Sequence, residues 1–213
     1  MIVGITGGIA TGKSRVTQLL HDRGFLTFSA DEAGRAVIFP GSPIFQQITH
    51  TFGKLALTAS GELNRQWLGA LIFADSSARQ ALEQITHPAI LRLLRAQLTA
   101  VETDFSRGQL VAVEVPLLYE SHLETWFELI VVVTASLETQ VERLRLRNGI
   151  DRYQAMLRIS SQLPIAVKQD LADFVISNDG TEEELEISVE ILKSKIFEKE
   201  SRDFSRICMR QAY

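Results

Sequence analysis

The sequence predicts an α/β fold in which helices cover a parallel sheet of five strands. Short apolar runs bounded by turn residues alternate with longer helical patterns, as is typical of such a sheet. Residues 129–133 are apolar and β-branched enough to form a strand buried on both faces. A glycine-rich turn follows the first strand, where parallel sheets present ligand sites. The predicted strands are Ile2–Thr6, Phe25–Ser29, Leu110–Val115, Leu129–Thr134 and Phe174–Ser177.

Helical patterns lie between and after these strands. The segment Lys13 to Arg23 predicts a helix that ends at Gly24. The segment Thr181–Glu200 predicts a long amphipathic helix, and Thr181 with Glu184 resembles a capping box at its start. The apolar face of that helix consists of Leu185, Val189, Leu192 and Ile196.

Two stretches depart from the alternation and suggest the domain organisation. Residues 40–107 contain no convincing strand, and their helical pattern Leu82–Leu98 is interrupted at His87-Pro88, so we expect a helical insertion. Residues 137–168 are helical and rich in arginine, which predicts a lid. The core would then comprise residues 1–39, 108–136 and 169–213.

Composition narrows the class of protein. The 213 residues are 46% hydrophobic and 23% charged, which is ordinary for a globular protein, and the net charge of −4 argues against a protein that coats nucleic acid. The single cysteine, Cys208, excludes an internal disulfide. No apolar run has the length of a signal or membrane segment, so we expect a cytoplasmic protein without a membrane partner.

The turn after the first strand has the spacing of a P-loop, Gly7-x4-Gly12-Lys13-Ser14. Such a loop directs backbone N–H groups at the phosphates of a nucleotide, while the lysine reaches the β- and γ-phosphates and the serine hydroxyl binds Mg²⁺. A glycine-rich turn can also merely join a strand to a helix, but lysine, serine, spacing and context agree here. The sequence therefore predicts binding of ATP with Mg²⁺.

Three further features indicate a kinase of small molecules. No Asn-Lys-x-Asp motif for guanine is present, and the chain is short for a mechanical ATPase. Arg143 and Arg147 share one face of the predicted lid, where guanidinium groups can approach the transferred phosphoryl group. The alternative is a solvated helix face.

Motifs along most of the chain resemble those of the dephospho-coenzyme A kinase family. Beside the P-loop they are Ser29-Ala30-Asp31 with Arg35, Thr86-His87-Pro88, the stretch Pro116-Leu117-Leu118-Tyr119-Glu120, the lid pattern Gln140-x-x-Arg143 with Arg158 and Gln162, and Ala172-Asp173 through Asn178. The resemblance implies a three-layer P-loop kinase fold and phosphorylation of the ribose 3′-hydroxyl of dephospho-coenzyme A.

The resemblance also assigns residues to the two substrates. The acceptor dephospho-coenzyme A would contact Asp31, Arg35, His87, Leu117 and Tyr119. The nucleotide would contact Gly8, Ile9, Ala10, Thr11, Gly12, Lys13, Ser14, Arg15, Arg143 and Asn178, of which Lys13 and Arg143 are also expected to be catalytic.

Two acidic residues are candidates for the chemistry of phosphoryl transfer. Asp31 follows the second strand and is suited to deprotonate or orient the acceptor hydroxyl, although aspartate is also favoured as a helix N-cap. Glu114 interrupts an apolar strand near its end and is suited to bind Mg²⁺ with Ser14, although a structural ion pair is an equal alternative.

Three residues depart from the family pattern. Ala10 replaces a common glycine and is tolerable if its φ is negative, Arg15 adds a charge without an evident partner, and Ser29 leaves Asp31 as the single carboxylate of its motif.

The competing functions are those of a nucleoside monophosphate kinase and of a nucleotide-dependent switch without an acceptor. We expect a monomer or a small homo-oligomer.

Overall fold

A computed structural model describes residues 1–104 and 109–210 of the chain. The strands are β1 (Ile2–Gly7), β2 (Leu26–Ser29), β3 (Val111–Glu114), β4 (Leu129–Thr134) and β5 (Phe174–Ser177). The α-helices are α1 (Lys13–Asp22), α2 (Ala30–Val37), α3 (Pro43–Phe52), α4 (Arg65–Ala74), α5 (Ser76–Asp104), α6 (Leu137–Asn148), α7 (Arg152–Ser160), α8 (Ile165–Asp170) and α9 (Glu182–Arg210). All five predicted strands are present, within a residue or two at their ends.

The strands form one sheet in the order β2-β3-β1-β4-β5. Strand β1 pairs in parallel with β3 on one side and with β4 on the other, and β4 pairs in parallel with β5. Every residue of β4 is buried, as its apolar, β-branched sequence predicts for an inner strand. The α/β class and the five-stranded parallel sheet are therefore confirmed.

The described residues divide into two compact units, one of Met1–Thr27 with Gly108–Tyr213 and one of Phe28–Arg107. The first unit contains the core between the sheet, α1 and α9, with residues such as Val16, Leu20 and Val131 fully buried. The predicted apolar face of α9 lies in this core, and its four residues are at most 3% exposed. The predicted capping box is also formed, since Thr181 and Glu184 each accept a hydrogen bond from the other's N–H.

Helix α1 shows how local sequence sets an element boundary. The helix ends at Asp22, and Gly24 follows with a left-handed φ of 91° that other residues rarely adopt. The N–H of Phe25 donates to the carbonyl of Leu20 at 3.1 Å, which closes the helix end and directs the chain into β2. Gly24 therefore ends the helix as predicted.

The second unit is mainly helical: residues 40–104 contain α3, α4 and α5, with one isolated antiparallel bridge between Leu57 and Leu63. Its core is formed by Ile48, Ala56 and Leu68 with partly buried neighbours. The unit begins at Phe28 and not at residue 40, because α2 packs closely on α5: a β-carbon at Gly34 would lie 3.3 Å from Ile90 Cδ1. The predicted end of the insertion at residue 107 lies outside the described residues.

Helix α5 is continuous through Pro88, so the predicted interruption at His87-Pro88 is wrong. Proline lacks an N–H and crowds the carbonyl four residues earlier, which ordinarily ends or kinks a helix. Here α5 packs against α2, α3 and α4, and these contacts stabilise the helix across the local defect. Thr86, buried beside Pro88, donates its hydroxyl hydrogen to the Leu82 carbonyl at 2.8 Å.

The predicted lid segment comprises α6, α7 and α8. Gly149 ends α6 with a left-handed φ of 63°. Arg152 binds Glu138 through two hydrogen bonds of 2.6 and 2.7 Å, which join α7 to α6. Within residues 1–104 and 109–210 the longest helices are too polar to cross a lipid bilayer.

Candidate active site

The glycine-rich loop joins β1 to α1 as predicted. Its geometry depends on Gly12, whose φ is 94° and whose position leaves no room for a side chain because a β-carbon would overlap the side-chain amide of Asn178. Helix α1 begins at the next residue, Lys13, so its unsatisfied N–H groups and partial positive charge lie at the end of the loop. A loop of this kind, followed by a helix N-terminus, is an anion-binding site.

Lys13 is folded over the loop. Its side chain is buried, and its ammonium group donates to the carbonyl of Gly8 at 2.8 Å and to that of Gly7 at 3.4 Å. The cation is therefore fixed beside the backbone that would surround a phosphate chain. This is the position that its predicted role at the phosphates requires.

Ser14 at the N-terminal end of α1 lies close to Glu114 at the C-terminal end of β3. The Ser14 hydroxyl donates to Glu114 Oε1 at 2.9 Å, and Glu114 is 8% exposed. The pairing of β1 with β3 places Glu114 opposite Ile5, two residues before Gly7. Hydroxyl and carboxylate oxygens suit Mg²⁺, which usually takes only one or two protein ligands and completes its shell with phosphates and water. The pair fits such an ion, although the described residues contain no cluster of three acidic, histidine or cysteine side chains around it.

Arg143 and Asn178 bind the loop through its carbonyl groups. Arg143 donates to the carbonyls of Ala10 and Thr11 at 3.3 and 3.4 Å and to that of Asn178 at 2.9 Å. The side-chain amide of Asn178 donates to the Thr11 carbonyl at 2.8 Å. Both residues were predicted to lie near the nucleotide, and both contact the loop that would hold it.

Ala10 has a left-handed backbone with φ of 60°, so the condition for tolerating its β-carbon, a negative φ, is not met. This conformation costs a residue with a β-carbon about 1–2 kcal/mol relative to the right-handed one. The methyl group is not without contacts, because Ile9 and Ala10 pack against the apolar cluster of Val141, Leu144 and Ala155 in the lid segment. Packing of this cluster on the loop offsets part of the strain.

Arg15 has a partner that the sequence did not reveal. Its guanidinium forms an ion pair with Glu182 in the first turn of α9. The two residues are 167 positions apart in the sequence, so no local pattern could predict the pair. The added positive charge of this loop variant is thereby matched by a carboxylate.

Sequence reasoning missed Gln162 as a site residue, although it belongs to the lid pattern. Its side-chain oxygen accepts a hydrogen bond of 2.7 Å from the N–H of Ile9. Gln140, another residue of that pattern, is buried and donates to the Ala135 carbonyl at 2.9 Å. The two glutamines of the lid motif could have suggested contacts with the loop, but the pattern alone does not identify their partners.

Asp31 and Arg35 lie in the second unit, on α2, and both are exposed. The alternative that Asp31 caps this helix is wrong: the N-cap is Ser29, whose hydroxyl accepts from the N–H of Glu32 at 3.4 Å. Asp31 is the second residue of the helix, and its carboxylate does not cap the helix. His87 is half-buried in the middle of α5 and not at a helix boundary.

Leu117 and Tyr119 follow β3 in the first unit. Leu117 is half-buried, whereas Tyr119 is 4% exposed, and its hydroxyl has no hydrogen-bond partner among the described residues. Burial raises the pKa of Tyr119 to about 12, with smaller contributions from the charges of Asp173 and Glu124. The phenol therefore stays neutral, and the predicted acceptor contact would have to reach a buried group.

A parallel α/β sheet, a P-loop that carries a buried lysine, and a serine–glutamate pair at the adjacent strand end together define a P-loop kinase fold. A family model described as dephospho-CoA kinase matches residues 1–184. The dephospho-CoA kinase of Syntrophotalea carbinolica is 39% identical over 196 residues, which cover 92% of each chain. The chain belongs to the dephospho-CoA kinase family.

Solved structures share the fold of this chain. A Thermus thermophilus protein superposes with a TM-score of 0.74 at 30% identity, over 92% of this chain and 97% of that one. The dephospho-CoA kinase from Campylobacter jejuni gives a TM-score of 0.66 at 24% identity, over 92% and 96% of the two chains. At that identity the second likeness supports the fold alone.

Proposed function

We propose that this chain transfers the γ-phosphoryl group of ATP to the ribose 3′-hydroxyl of dephospho-coenzyme A, giving coenzyme A and ADP. The proposal rests on membership of the dephospho-CoA kinase family, on the Lys13 ammonium held at the Gly8 carbonyl, and on the hydrogen bond of Ser14 to the carboxylate of Glu114. This loop supplies a fixed cation and oxygen ligands at one end of the sheet, as phosphoryl transfer between a nucleotide and a hydroxyl requires.

In this proposal the residues divide by substrate. Mg²⁺, when bound, neutralises charge on the phosphates, and Ser14 with Glu114 would hold it. Lys13 stabilises the charge on the transferred group, and Arg143 and Asn178 fix the loop through its carbonyls. Asp31 is proposed to orient or deprotonate the acceptor hydroxyl, because a hydroxyl nucleophile needs a base or an acceptor for its proton.

The domain roles follow the same division. We assign acceptor binding to the helical segment of residues 40–107 together with Arg35 on α2, and His87 is the candidate contact within the segment. Residues 137–168 would form the lid, since α6 and α7 already contribute the apolar cluster that touches Ile9 and Ala10. Closure of a lid over the loop would exclude water that otherwise hydrolyses ATP.

Product analysis tests the proposed function directly. Purified protein with ATP, Mg²⁺ and dephospho-coenzyme A should give a new 3′-phosphate monoester signal in the phosphorus NMR spectrum, together with ADP. An analogue of dephospho-coenzyme A without the 3′-hydroxyl should give no product, and excess EDTA should stop the reaction.

Parallel reactions distinguish the rival functions. Faster turnover of a nucleoside monophosphate than of dephospho-coenzyme A would favour a monophosphate kinase. Slow ATP hydrolysis that no acceptor accelerates would favour a nucleotide-dependent switch. Either result would overturn the proposed acceptor.

A further inference from the structure

Lys168 on α8 is a fully buried lysine outside the P-loop. Its exposed fraction is 0%, its Nζ lies 2.7 Å from Glu120 Oε1, and it donates to the Pro116 carbonyl at 3.4 Å. The Thr6 hydroxyl donates to the same carbonyl at 3.2 Å. A buried ammonium is costly unless it is paired and hydrogen-bonded, so the pair fixes the segment of residues 116–120 beside β1.

The carboxylate of Glu120 extends this contact into the lid segment. Glu120 Oε1 also accepts a hydrogen bond of 3.0 Å from the N–H of Leu163. Its other oxygen is buried and has no hydrogen-bond partner among the described residues, so Lys168 is the cation that compensates the carboxylate there. Without that cation, the buried carboxylate would be disfavoured at this position.

Leu163 is the neighbour of Gln162, which contacts the phosphate loop. With the backbone of Leu163 bound to Glu120, the Gln162 side chain accepts the Ile9 N–H at 2.7 Å. A polar path therefore runs from Lys168 through Glu120, Leu163 and Gln162 to the loop, entirely within one compact unit. The last hydrogen bond of the path holds the backbone of the loop whose other N–H groups would surround a phosphate.

We propose that Glu120, whose charge Lys168 compensates, is a positioning residue for the phosphate loop: its side-chain oxygen accepts the Leu163 N–H and thereby places Gln162 on the Ile9 N–H, so that the loop is preorganised for nucleotide. The proposal rests on the proposed function only in requiring that ATP binds at this loop. It assigns no chemistry to the three side chains, and their effect is expected in nucleotide affinity.

Two double variants separate positioning from stability. Changing one member of a buried pair leaves an unpaired charge and destabilises the fold, so the pair is changed together. Lys168→Met with Glu120→Gln removes both charges but keeps a side-chain oxygen for the Leu163 N–H. Lys168→Met with Glu120→Met removes the charges and that acceptor as well. Thermal unfolding without nucleotide measures the stability of each variant, so that ATP affinities are compared only between folded proteins.

Isothermal titration with ATP and Mg²⁺ is the decisive measurement. We expect the Met/Met variant and the single variant Gln162→Leu each to bind ATP about five- to tenfold more weakly, the scale of one lost hydrogen bond. The Met/Gln variant should bind within about twofold of the wild type. Adding Gln162→Leu to the Met/Met variant should produce little further loss, because the changes interrupt one path.

The controls make either failure recognisable. Arg202→Met with Glu198→Gln, at an exposed pair on α9, should leave ATP affinity unchanged. Wild-type affinity for ATP in Gln162→Leu would overturn the proposal even if no pair variant folds, and so would equal affinities of the two double variants. Affinity for dephospho-coenzyme A should stay constant throughout. A wild-type protein that binds ATP but does not phosphorylate dephospho-coenzyme A would refute the proposed function and leave the positioning result intact.

Discussion

The phosphate loop and the helical unit Phe28–Arg107 are built in different ways. Side chains from several elements bind the backbone of the loop: Lys13 from α1, Arg143 from α6, Gln162 after α7 and Asn178 after β5. The helical unit is held by apolar packing, and its candidate residues Asp31 and Arg35 are exposed.

This difference separates stability from activity. A residue that binds the loop backbone is part of the structure of the site, so its loss changes the loop as well as the chemistry. A residue exposed on a helix makes few contacts within its unit, so its loss should change only what it does to a substrate. Residues that bind the loop backbone and residues exposed on helices are therefore expected to respond differently to substitution.

The largest effect is expected from Lys13→Ala. The change removes the buried ammonium beside the Gly7 and Gly8 carbonyls, and with it charge stabilisation of the transferred phosphoryl group. We expect kcat to fall by about 10²- to 10³-fold or more, the range seen when one preorganised donor is removed. Steady-state assays of coenzyme A formation measure this loss. Lys193→Ala on α9 is the matched control, and a rate near that control would remove Lys13 from the mechanism.

Asp31→Asn tests the exposed side of the contrast. We expect kcat to fall by about 10²-fold, as for loss of a general base. ATP affinity and the unfolding midpoint should be unchanged, because the carboxylate is exposed and Ser29 caps the helix in its place. Glu32→Gln on the same turn is the control and should retain activity. If Asp31→Asn is equally active, the residue is a surface carboxylate and the acceptor base lies elsewhere.

Tyr119→Phe tests whether the resemblance assigns a buried residue correctly. The hydroxyl is buried without a partner among the described residues, so its removal should raise the free energy of unfolding by about 1 kcal/mol. The Michaelis constant for dephospho-coenzyme A should not change. A marked increase in that constant would show that the hydroxyl contacts the acceptor in spite of its burial.

The same tyrosine predicts a pH dependence. Because its pKa is raised from 10.0 to about 12 in the fold, the unfolded chain loses the proton first as the pH rises. The free energy of unfolding is therefore unaffected by this ionisation below pH 10 and falls as the pH rises from 10 to about 12. Ultraviolet titration of the wild type should show a late tyrosine transition that the Phe variant lacks. A wild-type titration without that late transition would contradict the burial of Tyr119.

The smallest effect is expected from Ala10→Gly. Relief of about 1–2 kcal/mol of left-handed strain is offset by the lost methyl contact, about 0.8 kcal/mol, and by the greater freedom of glycine in the unfolded chain. We expect the free energy of unfolding, measured with urea, to change by less than about 1 kcal/mol. Ala10→Val should lower it by more than about 1 kcal/mol, because β-branched residues are outliers at positive φ. Equal stability of Val and Gly variants would contradict the left-handed backbone.

The sequence predicted the sheet well because the apolar pattern of neighbouring residues identifies each strand. Residues 129–134 are apolar on both faces, and the spacing Gly7 to Ser14 defines a loop whose function is carried by the backbone. The periodicity of α9 likewise predicted the four residues that pack on the core. These features need only the chemistry of neighbouring residues.

The remaining features depend on contacts between distant residues. Helix α5 continues through Pro88 because other helices pack on it, and Ala10 adopts a positive φ in a loop packed against α6 and α7. The pairs Arg15–Glu182 and Lys168–Glu120 join residues far apart in sequence. The sequence does not show which distant residue a charged or polar side chain contacts. Neither the partner of Arg15 nor the contact of Gln162 could therefore be derived from it.

The order of strands in the sheet bears on how the chain folds during synthesis. Strand β1 is made first, yet its pairing partners include Val111 in β3 and Leu129 in β4, so the sheet cannot close until those segments have left the ribosome. The helical unit is continuous in sequence and needs no such delay. We therefore expect arrested nascent chains to protect the helical unit from protease before they protect β1, and simultaneous protection would contradict this order.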